Sequence, residues 1–259
     1  MLSRKPPVTA ADVRPRWVEL TGTDNVRDLG GLAIPGAGGT RFGLVYRAST
    51  LQELTARDQA RLLDELGVRT IIDLRSPDEV RREGYGELAK APVTRVNLPV
   101  RKATPRPGEA VPDSRRVDLV RLYYDMLAGS PESVVSAARI VANAEQHAVV
   151  FHCAGGKDRT GILAAILLDA VGVPAETIIE DYALTAQRLD RIRERLLRLP
   201  SYRDLPSVRE GVLTAEPDVM RQFLANLRAE SGGAAEWLLR HGFTEADLTR
   251  LRETLVSQV

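Results

Sequence analysis

The chain has 259 residues, 44% of them hydrophobic, enough to bury one sizeable core, and its 36 basic and 35 acidic side chains leave a net charge of +1. That balance excludes a global field able to draw the whole molecule onto nucleic acid or an anionic membrane. A single cysteine excludes any intrachain disulfide, and with it a disulfide-stapled secreted fold, so a reducing compartment fits best.

Residues 1–15 read as a loose tail. Pro6, Pro7 and Pro15 interrupt regular structure, and the basic stretch MLSRKPPVTAADV lacks the apolar segment of a signal peptide. Residues 16–259 read as one domain. From Trp17 a strand-like stretch runs into TGTDNVRDLGGLAIPGAGG, whose glycines permit tight turns. A strand is predicted over 44–48. A helix is predicted over 55–66, with Thr55 as N-cap, Asp58 three residues on and Gly67 at its end. A short buried strand follows at 69–74, Ser76-Pro77 opens another helix, and a further strand is predicted over 94–98. Residues 101–116, rich in Pro, Arg and Asp, read as an exposed loop. Helices are predicted around 117–128 and 131–145, the second behind the cap signal Ser130-Pro131.

The stretch 148–152, AVVFH, is the strongest strand candidate, and an apolar helix over 160–171 follows it, closed by Gly172 and Pro174. From Ala175 the pattern is helical. ALTAQRLDRIRERLLRL sets arginines between apolar residues at helical spacing, which reads as a solvated helix face. The last helix starts near Thr244, with Asp247 at its third position, and is expected to run to the terminus. No run of eighteen apolar residues exists, so no membrane span is expected. Strands alternating with helices, followed by a helical C-terminal part, predict an α/β fold with a mostly parallel central sheet flanked by helices.

The chemistry concentrates in Phe151-His152-Cys153-Ala154-Gly155-Gly156-Lys157-Asp158-Arg159-Thr160-Gly161, between the strongest strand and the apolar helix. Five residues separate Cys153 from Arg159, a spacing that lets a loop curl round one tetrahedral anion. Its N–H groups can point inward, and Gly155 and Gly156 clear the approach. The following helix aims its positive end at the same point, and the Arg159 fork can grip two phosphate oxygens. Thiols at helix N-termini beside cations ionise readily, and the thiolate is the nucleophile. Cys153 is thus read as the nucleophile, Arg159 as the clamp, and Ala154, Gly155, Gly156, Lys157 and Thr160 as substrate-binding residues. His152 reads as a structural hydrogen-bonding partner of the loop. A Walker A loop is excluded, because Asp158 follows Lys157 and Phe151 stands where the first glycine belongs. The three histidines and the lone cysteine show no metal-ligand spacing, so no metal and no cofactor are expected.

The segment resembles the signature loop of the protein tyrosine phosphatase superfamily. Its H-C-A-G-G-K-D-R-T-G form resembles the bacterial branch of mycobacterial protein tyrosine phosphatase B and listerial lipid phosphatase A. Asn25-Val26-Arg27-Asp28-Leu29-Gly30-Gly31, Tyr46-Arg47-Ala48-Ser49 and GVRTIIDLR over 67–75 match the same branch, so the resemblance covers most of the chain from Trp17. It implies a phosphomonoesterase acting through a cysteinyl-phosphate, on phosphotyrosine protein first, with phosphoserine, phosphothreonine and phosphoinositides as alternatives. Neither Trp17 nor Trp237 is followed by Pro-Asp, so the acid of the usual Trp-Pro-Asp loop must come from elsewhere. Asp158 is the first candidate and Asp73, at the end of a strand, the second. The alternative for Asp73 is a salt bridge to Arg75 or a loop arginine.

Two other classes compete, a catalytically inactive phosphate-binding module and a rhodanese-type sulfurtransferase. Arg159-Thr160-Gly161 and the Gly-Gly-Lys interior fit phosphate better than sulfane sulfur. The resemblance also implies a helical lid, expected within 185–228. The expected partners are a phosphorylated protein or a phosphoinositide, with no nucleic acid and no stable membrane insertion. The expected location is the cytoplasm, with export lacking a recognisable signal left open.

Overall fold

The computed structural model describes residues 15–101, 118–205, 208 and 213–257. The expected tail and the expected loop at 101–116 therefore lie outside the described residues, apart from Pro15 and Arg101. The central sheet has five strands in the order β1 (Arg27–Asp28), β3 (Val45–Ala48), β6 (Val149–His152), β4 (Thr70–Asp73) and β5 (Thr94–Asn97). All neighbours run parallel except β1, which pairs antiparallel with β3 at the edge. The mostly parallel α/β fold read from the sequence is the fold observed.

Strand periodicity divides the interior. Val45, Ile72, Val149 and Phe151 face one core, while Tyr46, Ala48, Ile71 and Val150 face the other. The first core packs α3 (Leu119–Ala128), α4 (Pro131–Ala142), α5 (Asp158–Ala170) and α6 (Ala175–Ala183). The second holds Leu62 and Leu88, from the segments that follow β3 and precede β5. Strands buried on both faces need no polar alternation, which is why VVFH and TIID read as short apolar runs.

Helix α1 (Ala56–Ala60) starts at the predicted box: Thr55 Oγ1 accepts from Asp58 N at 3.1 Å, and Asp58 Oδ2 accepts from Thr55 N at 3.0 Å. The chain then continues as one wider π turn, Arg61–Glu65. Helix α2 (Pro77–Glu83) has the same reciprocal cap between Ser76 and Glu79. Beyond α6 come α7 (Leu189–Arg198), α8 (Pro217–Ser231), α9 (Ala234–Arg240) and α10 (Glu245–Leu255). The terminal helix does not run to the end of the chain. It stops at Leu255, and β7 (Val256–Ser257) pairs antiparallel with β2 (Gly39–Thr40), so the C-terminal segment is fastened to the glycine-rich stretch near the start. Among the described residues no helix is long and apolar enough to cross a membrane.

One buried carboxylate ties the N-terminal edge of the sheet to the helical layer. Asp181 on α6 meets Arg27 Nε at 3.1 Å and Arg47 Nη1 at 2.7 Å, and it also pairs with Arg16. Burial opposes the charged carboxylate, but the surrounding guanidiniums hold it well below the usual aspartate range. Burial, with Arg47 alongside, pulls Arg27 down to about 9, so it is still cationic at neutrality. A carboxylate whose folded pKa is depressed contributes stability that is present above the unfolded value and lost as pH falls through the folded one. Asp181→Asn is therefore expected to lose about 3–5 kcal/mol at pH 7, since it leaves buried cations without their anion. In urea titrations the gap between parent and variant should narrow as the pH drops below 4. Equal midpoints at pH 7 would show that Asp181 carries no such load.

Candidate active site

Ala48, His152, Asp73 and Asn97 stand in register at the carboxyl ends of β3, β6, β4 and β5. The loop 153–157 leaves β6 at this edge and enters α5, whose N-terminus points its unpaired N–H groups back at it. Cys153 is 2% exposed, and its Sγ accepts from the Thr160 hydroxyl at 3.1 Å. The turn is made at Gly156, with φ +66°. A Cβ there would sit 2.6 Å from the Ala48 carbonyl oxygen, so only glycine fits. The Gly156 carbonyl accepts from Asn25 Nδ2 at 2.9 Å and from Arg47 Nη2 at 3.0 Å. Thr50 N donates to the Ala154 carbonyl at 2.9 Å and ties the loop to the segment after β3.

Arg159 is fixed from outside the loop. Its Nη1 and Nη2 meet the two Glu79 carboxylate oxygens at 2.8 and 2.9 Å, and Nη2 also donates to the Tyr202 hydroxyl at 2.8 Å. Burial works against the guanidinium, yet the Cys153 sulfur and Glu79 outweigh it and raise Arg159 above its ordinary value. Glu79 is shifted the other way: burial would raise it, and Arg159 holds it below the usual range. Sequence reasoning missed Glu79. Its position three residues after Ser76 was visible as a capping signal, but its pairing with a residue eighty positions away was not.

The two candidate acids occupy different environments. Asp158 opens α5 and lines the pocket beside Cys153, its Oδ1 accepting from Tyr123 OH at 2.7 Å and lying 3.1 Å from Lys157 Nζ. Tyr123 in turn bonds Tyr182 OH at 2.7 Å; burial, then the Asp158 charge, raises Tyr123 well above an ordinary phenol, so it stays a donor. Asp73 is not brought to the pocket. It is buried, and Arg75 Nε and Nη2 fold back onto its carboxylate at 3.0 and 2.8 Å. Burial would raise Asp73, but His152 and Arg75 lower it. That pairing is the alternative left open for Asp73 in the sequence. His152 is buried with Nδ1 3.1 Å from the Cys153 carbonyl oxygen, and burial lowers its basicity. Among the described residues no cluster of His, Cys, Asp and Glu is placed to hold a metal ion.

A helical segment lies over the loop. The pocket, about 120 Å³, has Cys153, Ala154, Gly155, Lys157, Asp158 and Arg159 as its floor, and Leu189, Ile192, Leu196, Tyr202, Leu205, Val208 and Leu213 as its walls and roof. Lys157 reaches across to donate to the Thr214 carbonyl at 2.8 Å. The span 185–228 thus divides. Among the described residues, those from Leu189 to Leu205 together with Val208, Leu213 and Thr214 supply this cover, whereas α8 buries Met220, Phe223 and Leu227 in the main core against α3 and α6.

The arginine side of α7 is solvated only in part: Arg191 and Arg198 are exposed, as the sequence reading expects, while Arg195 is buried. Arg195 is 7% exposed and pairs with Asp24 at 2.8 Å and with Glu53, Arg191 meets Asp24 at 2.8 Å, Arg198 meets Glu53 at 2.9 Å, and Arg188 pairs with Glu19. The acidic partners come from the loops flanking β1 and following β3, and they lie beneath the arginine side of the helix. Its other side carries Ile192 and Leu196 onto Ala154.

A sequence profile described as the tyrosine phosphatase family matches residues 18–257. A Cupriavidus necator protein carrying a provisional tyrosine-protein phosphatase name is 32% identical over 88% of this chain and 84% of its own. A tyrosine-protein phosphatase of Nostoc commune is 30% identical over 81% of this chain and 73% of its own. The triple specificity protein phosphatase PtpB of Mycobacterium tuberculosis is 25% identical over 92% of this chain and 98% of its own. Among solved structures, the core catalytic domain of the PP-IP phosphatase Siw14 from S. cerevisiae aligns with a TM-score of 0.39 and 16% identity, over 65% of this chain and 79% of that one. With the profile spanning nearly the whole described domain, the chain belongs to the tyrosine phosphatase family.

Proposed function

We propose that this phosphatase hydrolyses phosphomonoesters through a cysteinyl-phosphate on Cys153, with phosphotyrosine protein as its principal substrate. The observation that carries the reading is the convergence of Cys153, Arg159 and Asp158 on one pocket at the start of α5. The Cys153 thiolate attacks phosphorus, the phosphorus–oxygen bond breaks, and the leaving oxygen takes a proton from Asp158. Water then attacks the phosphocysteine, Asp158 accepts its proton, and phosphate and the thiolate are released. Arg159 and the loop N–H groups carry the negative charge of the equatorial oxygens. The Thr160 hydroxyl, donating to Sγ, favours the sulfur as an anion when it leaves.

The apolar walls favour an aryl phosphate: Leu189, Ile192, Leu196 and Leu213 would flank a phenyl ring above an anion-binding floor. Lys157 adds a cation beside the phosphate site and keeps phosphoinositides as a second substrate class. Phosphoserine and phosphothreonine would leave those walls less filled. The single reactive thiol suits the cytoplasm, where it stays reduced.

Cys153→Ser should abolish turnover of an aryl phosphate while retaining phosphate binding, and vanadate should inhibit the parent competitively. Substantial turnover by the serine variant would remove the mechanism. Arg159→Lys keeps charge but loses the planar fork, and turnover is expected to drop at least about tenfold; an unchanged rate would mean Arg159 does not touch the transferring group.

The acid is identified by comparing leaving groups. Asp158→Asn should slow a phenyl phosphate with a poor leaving group far more than one with an activated leaving group. Asp73→Asn should slow both alike, through disturbance of Arg75. Equal slowing of both substrates by Asp158→Asn would assign Asp158 a structural role instead.

The cover is proposed to open for substrate and to close against water, held by the ion pairs of α7. Arg195→Gln removes its buried contacts to Asp24 and Glu53. It is expected to speed alkylation of Cys153 by iodoacetamide about tenfold or more, the weight of one charge-assisted bond. An alkylation rate equal to that of the parent would mark the segment as a fixed subdomain.

A further inference from the structure

Two of the stretches that carried the family resemblance, 25–31 and 46–49, hold no residue of the pocket, yet they meet the phosphate loop at one atom. That atom is the Gly156 carbonyl oxygen, which accepts from Asn25 Nδ2 at 2.9 Å and Arg47 Nη2 at 3.0 Å. Both donors are buried, and both are themselves held. Arg47 Nη1 is anchored on Asp181 at 2.7 Å. Asn25 takes the left-handed backbone, φ +58°, and its Oδ1 accepts from Arg27 Nη1. Asn25 Nδ2 and Arg27 Nη2 each lie 3.3 Å from the Thr185 hydroxyl.

Gly156 needs such fixing. The close approach of Ala48 demands glycine, and glycine leaves the adjoining peptide free to turn over. The Gly156 carbonyl and the Lys157 N–H belong to one planar trans peptide and point in opposite directions. With the carbonyl bonded to Asn25 and Arg47, planarity directs the Lys157 N–H to the opposite side of the peptide, and Lys157 lines the pocket. Turned over, the same peptide would offer an oxygen to a phosphate dianion in place of a donor.

We infer that Arg47 and Asn25 are positioning residues for phosphoryl transfer, clamping the Gly156 carbonyl so that the 156–157 peptide presents its N–H to the substrate phosphate. The guanidiniums of Arg16, Arg27 and Arg47 outnumber the single Asp181 carboxylate they share, so the clamp also sets net positive charge beneath the loop. This inference rests on the proposal that the loop holds phosphate.

The test uses the full chain with Asn25→Gly, which tolerates the positive φ, together with Arg47→Met and Arg47→Lys. For each, kcat, KM and the inhibition constant of inorganic phosphate are measured per Cys153 site titrated by iodoacetamide, alongside Tm. The phosphate constant is expected to rise, and kcat/KM to fall, about fivefold for Asn25→Gly and about tenfold or more for Arg47→Met. Arg47→Lys should recover only part of the loss, because one ammonium cannot serve both Asp181 and Gly156. A lowered Tm with unchanged phosphate constant and kcat/KM per titrated site would reduce both residues to a purely structural role and overturn the inference. Full recovery by lysine would overturn it too, leaving charge alone at work. Absence of Cys153-dependent turnover in the parent would remove the underlying reading and the clamp with it; turnover in the parent with unaffected variants removes the clamp alone.

Discussion

Asp181 is the anion on which the phosphate side of the molecule depends. Arg16, Arg27 and Arg47 come from the approach to the sheet, from β1 and from β3, and all three end on this one side chain of α6. Like charges crowded in a low-dielectric interior repel strongly, so the cluster is tolerable only where anions and carbonyl oxygens surround it. The Asp181 carbonyl, the Asn25 amide oxygen and the Gly156 carbonyl fill that shell. Excess positive charge buried under the loop is costly to the free protein, and a phosphate dianion in the proposed site would offset that cost.

The rim of the site works by a different balance. Arg159 is held by Glu79 from below the mouth and by Tyr202 from the cover. The Tyr202 hydroxyl takes a hydrogen from Nη2, the nitrogen that shares the Nε edge of the fork, and that edge is the one left for a phosphate once Glu79 has taken the other. In the proposed complex the Tyr202 hydroxyl of the cover would thus stand where a phosphate oxygen approaches Arg159. The cover's apolar underside packs on Ala154 beside the sulfur, while the arginines on its other side rest on Glu19, Asp24 and Glu53. Salt screens ion pairs but does not screen apolar contacts, so the two sides of α7 respond differently to the same medium.

What the sequence made legible follows from separation along the chain. The loop from Cys153 to Thr160 is one contiguous segment, so its chemistry could be read without a fold. The strands 69–74 and 148–152 were readable because both of their faces are buried. The caps at Thr55, Ser76 and Thr244 repeat a local pattern and stand where expected. The spacing of Arg188, Arg191, Arg195 and Arg198 was equally visible, but their acidic partners lie some 140–170 residues earlier, and a solvated face was the natural reading. Glu79 escaped for the same reason. Asp73 is the contrary case: Arg75, two residues on, was in view, and the fold buries the pair behind the carboxyl edge instead of opening it to the pocket.

With Asp158 as the acid, the loop holds every group that moves charge. Nucleophile, clamp and proton donor then span seven residues and share one rigid attachment, the junction of β6 and α5. A Trp-Pro-Asp loop must swing in to deliver its carboxylic acid, so closure and proton transfer are coupled. Here Asp158 is held by Tyr123, which burial keeps as a donor, and Tyr123 is held by Tyr182 in the helical core. Nothing in that chain of contacts passes through α7. The cover touches the acid by another route, since the Thr214 carbonyl holds Lys157 Nζ, which lies 3.1 Å from Asp158 Oδ1, so a change in the cover would be felt at the acid through Lys157 alone.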